Sequence, residues 1–363
     1  MIAFLLLSSG ISAQDLYYQR GVYNYSIGNY QQAIEDFNQS LKINPKALDT
    51  YFYRGYSHLY LGSYDKALKD LRKVMKHGPR KPEVYSAAGH ACSELRKFNK
   101  ALNYLNKALE LNPRFAEAYN NRGVCYHRMG EYRQAIEDFN AAIQIDSAFA
   151  LAYNNRGSAR YYHQNVAEPT RSDVELAVRD FGLALHFNPN MTLAVRNRGV
   201  AHRLLGNYEE ALKNLDQAIM QQPAQADNYL EKARTEAQMG EHEKAIGSFL
   251  TVVKLDPGNA DAYIEMGNSK SRLGYHSESI KDQEKAMEIN KSYAGLAYYN
   301  IACCYSLMRD KEMMMDYLQK CRKKKFFRNK YRYEHFLKDA DFDNFRDDED
   351  FRRFAAKVRK KVK

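Results

Sequence analysis

The pentapeptide YNNRG occurs at Tyr119–Gly123 and again at Tyr153–Gly157, with a looser copy, VRNRG, at Val195–Gly199. Two of its residue types carry recognition chemistry. A carboxamide offers two donors and one acceptor carbonyl, so it can pair with both the N–H and the C=O of an extended peptide, whatever that peptide's side chains are. Asn120, Asn121, Asn154, Asn155 and Asn197 are the candidates. Asparagine is a mediocre helix former, so local stability gives no reason for these copies. The arginine belongs to a series of its own, Arg20, Arg54, Arg122 and Arg156, matched in step by Asp36, Asp70, Asp138 and Asp180. Where the arginine gives way to Ala88, the aspartate gives way to Tyr104. Loss in step points to structural ion pairs, Arg20 with Asp36 through Arg156 with Asp180, rather than to a row of guanidiniums for phosphate. Such pairs fix orientation more than they add net stability.

Other chemistry is thin. The chain has no HExxH, P-loop, GxSxG or glycine-rich dinucleotide turn, and its histidines stand at scattered single positions. Metal hydrolysis, nucleotide chemistry and serine catalysis each need such groupings. Neither an enzyme nor a cofactor is expected. Asp339, Asp341, Asp343, Asp347 and Asp350 fall at positions 1, 3, 5, 9 and 12 of a calcium-loop spacing. Asn344 stands where that loop needs glycine, and the last ligand is Asp rather than a bidentate Glu, so solvated charge is the expectation there. The five cysteines include no CxxC pair, which favours buried free thiols.

The formal charge of +11 is uneven: residues 322–363 hold 16 Lys/Arg against 8 Asp/Glu, leaving a net of +3 on everything before them. The high pI therefore describes a tail. With 45% hydrophobic residues and a mean hydropathy of −0.67, the chain is neither disordered nor membrane-spanning by composition.

The elements that must position these residues follow from a 34-residue period. Gly21, Gly55, Gly89, Gly123, Gly157, Gly199, Ala233 and Gly267 recur in register, as do Ala33, Ala67, Ala101, Ala135, Ala177, Ala211, Ala245 and Ser279. A third series runs Pro45, Pro79, Pro113, Ser147, Pro189, Pro223, Pro257 and Lys291. Each period predicts a helical hairpin: an apolar-periodic segment, a glycine turn such as IGNY or MGEY, a second segment and a proline stop. The paired small residues let the two helices approach closely. One hairpin cannot bury its apolar face alone, so neighbours must stack.

The pattern resembles the tetratricopeptide repeat family. With Gln14 as position 1, the first repeat carries Tyr17, Gly21, Gly28, Tyr30, Ala33, Phe37 and Pro45 at the family's signature positions. Tyrosine replaces the frequent tryptophan at position 4. The resemblance covers residues 14–291 as eight repeats, beginning at 14, 48, 82, 116, 150, 192, 226 and 260, with a degenerate ninth within 292–324. It implies an all-α fold, the hairpins stacked into a right-handed superhelical solenoid whose first helices line a groove. The groove-facing positions would bring forward Tyr18, Tyr53, Tyr56 and Tyr60 at the first two repeats. The middle repeats would add Asn120, Asn121, Asn154, Asn155, Tyr161, Arg196 and Asn197. The row Asn121, Asn155, Asn197 is similar to the asparagine ladder of the O-linked N-acetylglucosamine transferase superhelix, although nothing like a glycosyltransferase domain follows.

The implied function is a non-enzymatic scaffold that binds an extended peptide or a partner helix. The alternative rests on residues 325–363, a basic and acidic cap and tail. There RKKKFFRNKYRY interleaves cations with rings and so suggests nucleic-acid or anionic-surface contact, with nucleic acid the weaker expectation. Phe342, Phe345, Phe351 and Phe354 are expected to cover the last helix face. An eight-residue excess falls around 163–173 and reads as an exposed loop, with Asp173 capping the helix after it. At the start, MIAFLLLSSGISA resembles the end of a secretory signal over residues 1–13, which implies export to the periplasm or beyond. Without such a signal the cytoplasm is expected.

Overall fold

The computed structural model describes residues 12–162, 170–360 and 362. All regular structure among the described residues is helical. The chain divides into two compact units, Met1–Ala194 and Val195–Lys363. The first contains the hairpins α1 (Ala13–Ser26) with α2 (Tyr30–Ile43), α3 (Leu48–Tyr60) with α4 (Tyr64–His77), and α5 (Pro82–Glu94) with α6 (Phe98–Leu111). It continues with α7 (Ala116–Met129) and α8 (Tyr132–Ile145), then α9 (Ala150–Tyr162) and α10 (Arg171–Phe187). Helix α11 (Thr192–Leu204) lies at the division. The second unit holds α12 (Tyr208–Gln221), the hairpins α13 (Ala226–Gln238) with α14 (His242–Leu255) and α15 (Ala260–Arg272) with α16 (His276–Ile289), and then α17 (Ala294–Leu307) with α18 (Lys311–Lys323). Two short helices, α19 (Lys330–Lys338) and α20 (Glu349–Arg359), end it.

The hairpins close on one repeated contact. In α4 the buried stripe is Ala67, Leu68, Leu71 and Val74, the spacing of one helical face. Leu71 then sits against Gly55 of α3; Phe37, Leu105, Phe139 and Phe181 sit against Gly21, Gly89, Gly123 and Gly157 in the same way. A β-carbon at Gly123 would come within 2.6 Å of the Phe139 ring. These glycines are thus required by close approach, while a second set is required by the turn. Gly28, Gly62, Gly130, Gly206, Gly240 and Gly274 all have φ between 69° and 83°, the left-handed region that glycine occupies without penalty.

Arg96 and Arg309 occupy the corresponding turn positions with φ of 56° and 61°. A side chain held there costs roughly 1–2 kcal/mol, more than the roughly 0.4–1 kcal/mol of unfolded-state freedom that glycine adds. Arg96→Gly is therefore expected to raise stability by about 0.5–1 kcal/mol. Urea unfolding of the two proteins checks this, and an unchanged or lower midpoint would refute it.

Of the stretch 163–173, expected as an exposed loop, the structure describes only Thr170 onward. Residues 163–169 lie outside the described set, but α10 already begins at Arg171 and runs for 17 residues, against 14 for the equivalent α8. Part of the extra sequence lengthens a helix. The N-cap is Thr170, whose Oγ1 accepts from the Asp173 N–H at 3.2 Å. Asp173 sits instead in the first turn, accepting from the Thr170 hydroxyl at 2.6 Å, where its charge complements the helix dipole. At the other end, Ser12 caps α1, its Oγ accepting from the Asp15 N–H at 3.1 Å. Residues 1–11 of the expected signal lie outside the described set.

The C-terminal segment is packed. Phe326, Phe327, Phe336, Phe342, Phe351, Phe354 and Val358 form one buried cluster with Tyr299 and Cys303 of α17 and Met314, Leu318 and Cys321 of α18. Phe345 is partly buried against it. Phe326, Phe327 and Tyr333 are therefore not free to stack on bases, and of the interleaved rings Tyr331 alone stays exposed, at 78%. All five cysteines are buried and free.

Candidate interaction site

Every residue of YNNRG has a place in the packing of α7. The Tyr119 ring lies 5.4 Å under the Arg122 guanidinium, an attraction of cation and ring quadrupole. Arg122 donates from Nε and Nη2 to the two oxygens of Asp138 at 2.8 and 2.7 Å. The same fork joins Arg54 to Asp70 at 2.7 and 2.8 Å and Arg156 to Asp180 at 3.0 and 2.6 Å. Arg20 donates to Asp36, from Nε at 2.9 Å. In three of the four, Nη1 reaches further. Arg54 donates to Asn38, Arg122 to Asn106 and Arg156 to Asn140, each at 2.7 Å and each on the second helix of the preceding repeat. All four guanidiniums are held on aspartates and three are engaged at Nη1 as well, which makes them packing elements between helices.

The asparagines link first helices. Asn121 Nδ2 donates to Ser86 Oγ at 3.0 Å, and Asn155 Nδ2 to Asn120 Oδ1 at 2.9 Å, in each case back to the preceding repeat. Asn154 Nδ2 donates to Asn155 Oδ1 at 3.3 Å. Asn120 and Asn154 are buried, at 2% and 1% exposure, and Asn197 at 8%. This corrects the assignment of Asn120, Asn154 and Asn197 to an open groove. Asn121 and Asn155 each place one amide N–H on a buried partner, as contact between helices demands, and both stay partly exposed. Leu230 and Ile264, at the same repeat position as Asn120, are buried too. That position packs between repeats.

The second unit carries charge on the corresponding helices. Arg196 donates to Asp227 at 3.0 Å, Arg203 to Glu231 at 3.0 Å, and Arg234 to both Glu231 and Glu265 at 2.7 Å. Burial works against the Arg234 charge, but Glu265 and Glu231 more than offset it and raise its pKa. Arg196 is thus part of an ion-pair chain running from one first helix to the next.

The tyrosines differ. Tyr161 packs on Phe181 of its own hairpin, with ring centroids 6.3 Å apart. Tyr56 donates from its hydroxyl to the Glu83 carbonyl of the next repeat at 2.9 Å. Tyr18, Tyr25, Tyr53 and Tyr60 instead form a connected set: Tyr18 lies 6.1 Å and Tyr25 5.5 Å from Tyr53, and Tyr25 lies 6.0 Å from Tyr60. Tyr60 stacks at 4.6 Å on Tyr30 of the preceding hairpin yet remains 57% exposed. Burial raises the pKa of Tyr18 and Tyr25.

With this geometry in place, comparison with known proteins is informative. Sequence profiles described as tetratricopeptide repeats match residues 15–47, 49–77, 89–130, 116–149, 196–260, 260–293 and 296–321. The chain belongs to the tetratricopeptide repeat family. No curated protein matches it significantly. Among solved structures, a chain of the APC/C hetero-tetramer Cut9–Hcn1 superimposes with a TM-score of 0.62 at 16% identity. The overlap is 80% of this chain and 56% of that one, so this chain spans just over half of that protein's length. A tetratricopeptide repeat protein from Parabacteroides merdae gives 0.53 at 19% identity, over 70% of this chain and 97% of that one. At such identities the likeness is one of fold, an all-α stack of tetratricopeptide hairpins.

Sequence reading missed the asparagines at 38, 106 and 140, although the signal was there. Each stands sixteen residues before an arginine, at 54, 122 and 156. Ala88 has Arg72 in that place, and Lys232 has Asp216, to which it donates at 2.6 Å. A comparison across repeats, rather than within them, would have found the pairing. No helix among the described residues is long and apolar enough to cross a membrane.

Proposed function

We propose that this tetratricopeptide repeat protein is a non-enzymatic interaction scaffold that takes an extended segment of a partner protein on the first-helix face of its two N-terminal repeats. One observation carries this reading: the rings of Tyr18, Tyr25, Tyr53 and Tyr60 form one connected set that stays partly exposed, with Tyr60 57% exposed. Rigid tyrosines give large contact area at low conformational cost, and each keeps a hydroxyl for the partner's backbone. The asparagines and the ion-pair chain set the spacing of repeats behind this face. Export of the chain belongs to the same proposal, and the mature N-terminus, read by mass, tests it.

The experiment places a photo-crosslinking residue at Tyr18, partly exposed within the ring set, in the full chain in its native host. Wild type is compared with the double variant Tyr25→Ser, Tyr60→Ser and with the triple variant Asn121→Ala, Asn155→Ala, Asn197→Ala. A specific adduct that the tyrosine variant loses at least tenfold, at unchanged far-UV spectrum, supports the reading. Equal adduct yield from that variant rejects it. Loss confined to the asparagine triple, with its melting unchanged, moves the site to the middle repeats.

A further inference from the structure

The calcium-like spacing of aspartates comes apart in the fold. Asp343 pairs with Arg346, Asp347 with Arg352, and Asp350 with Lys311. Asp339 and Asp341 turn elsewhere. Their carboxylates and the Cys303 thiol of α17 bring one oxygen, one oxygen and one sulfur within 4.8 Å of one another. They line a cavity of about 190 Å³ between α15, α17 and the C-terminal segment, and His335 of α19 lines it too. His335 Nε2 lies 3.5 Å from Asp339 Oδ2.

We propose that Cys303, Asp339, Asp341 and His335 bind one divalent transition metal of the zinc class. The donors suit it: one thiolate, one imidazole and two carboxylates make a four-ligand set, and the sulfur selects against calcium and magnesium. The charge balance asks for it. The Asp339 and Asp341 side chains are only 10% and 13% exposed, and Cys303 is 6% exposed. Asp341 has Arg272 at 3.2 Å, but that arginine is 61% exposed. Among the described residues no lysine or arginine reaches the Asp339 carboxylate; its partners are the Tyr299 hydroxyl at 2.5 Å, the Asp341 N–H at 3.1 Å, the Cys303 thiol at 3.8 Å and His335. Two shielded carboxylates beside a buried thiol, with one well-solvated cation, leave negative charge uncompensated.

The atoms are also oriented. Asp339 Oδ1 accepts from the Asp341 N–H at 3.1 Å, while Oδ2 faces Cys303 Sγ at 3.8 Å. Tyr299 then acts as the second layer that fixes the liganding oxygen. Donors around a tetrahedral zinc sit roughly 3.5 Å apart, so the Cys303, Asp339 and Asp341 donors draw together on binding and the exposed His335 ring, already beside Asp339, turns in to join them. Binding releases the thiol proton to solvent. The ion joins α17 of the last hairpin to α19 and the segment after it, and so staples the C-terminal cap to the array.

The test uses the full chain, purified with chelator and reductant and then titrated with cobalt(II). One equivalent is expected to bind, giving near-ultraviolet sulfur-to-cobalt charge transfer and the intense visible bands of a four-coordinate ion. Zinc should displace it and raise the melting temperature, and calcium should leave that temperature unchanged. Cys303→Ser should lose the charge-transfer band, whereas Cys304→Ser should keep it. Because a core cysteine variant can misfold, the rim variants His335→Ala and Asp341→Asn serve beside it, each expected to weaken cobalt binding at least tenfold. Absence of equimolar binding, survival of the sulfur band in folded Cys303→Ser, or unchanged affinity in both rim variants overturns the proposal.

Discussion

Phe139→Ala is expected to destabilise the fourth repeat by about 3–5 kcal/mol, the range for emptying a buried aromatic site. The ring is fully buried and rests directly on Gly123. Its buried neighbours in the same cluster are Ala135 and Ala159, methyl groups that cannot extend into the vacated volume. Phe139→Leu should cost far less, since Leu71, Leu105 and Leu215 fill the same place over Gly55, Gly89 and Gly199. Hydrogen exchange resolved at α7 and α8 is the suitable measurement, because stacked repeats can open separately and a global melt averages over them. A loss of less than about 1 kcal/mol for the alanine variant would show that the hairpin closes over the gap and that this contact does not organise the repeat.

Asp180→Ala is the second large effect. Asp180 accepts from Arg156 at 2.6 and 3.0 Å and pairs with Arg160 at 2.9 Å. Its side chain is 2% exposed, and those of Arg156 and Arg160 are 14% and 19% exposed. Removing it strands two shielded guanidiniums, and breaking a buried pair by deleting one partner costs about 3–5 kcal/mol. Burial lowers the Arg160 pKa, and the Asp180 carboxylate works against that shift. The control is Asp65→Ala, whose partner Lys97 lies at 3.2 Å with side chains 76% and 45% exposed; it should cost less than about 1 kcal/mol. Urea unfolding of both variants measures the contrast. Similar losses from the two would mean that burial does not set the strength of these pairs.

The repeat, its hairpin and its small-residue contacts were legible because a fixed period multiplies weak local signals. Gly123 against Phe139 is ambiguous alone and clear beside Gly21 with Phe37 and Gly157 with Phe181. Arg122 with Asp138 was readable because a natural deletion, Ala88 with Tyr104, removed both members together. The use of Asn120 and Asn121 was not legible. A carboxamide that faces a peptide and one that faces the next helix have the same sequence signature, and the difference lies in a few degrees of rotation between neighbouring repeats. The cluster of Cys303, Asp339 and Asp341 was hidden for another reason. Its sulfur comes from α17 and its oxygens from the C-terminal segment, so linear spacing suggested a calcium loop.

The third hydrogen bond of the arginines has a consequence for how such an array can grow or be cut. Asn38, Asn106 and Asn140 belong to one repeat, and the arginines they hold belong to the next. Each repeat therefore carries the socket for its successor and the plug for its predecessor. At the junction of the second and third repeats both halves are replaced, by Arg72 and Ala88, and at that of the seventh and eighth by Leu250 and Met266. Repeats excised and rejoined within one class of junction would keep their clasps, while a transplant across classes would leave a guanidinium facing a wrong or missing acceptor. The 34-residue unit is thus not a freely exchangeable module; the exchangeable object is the joint.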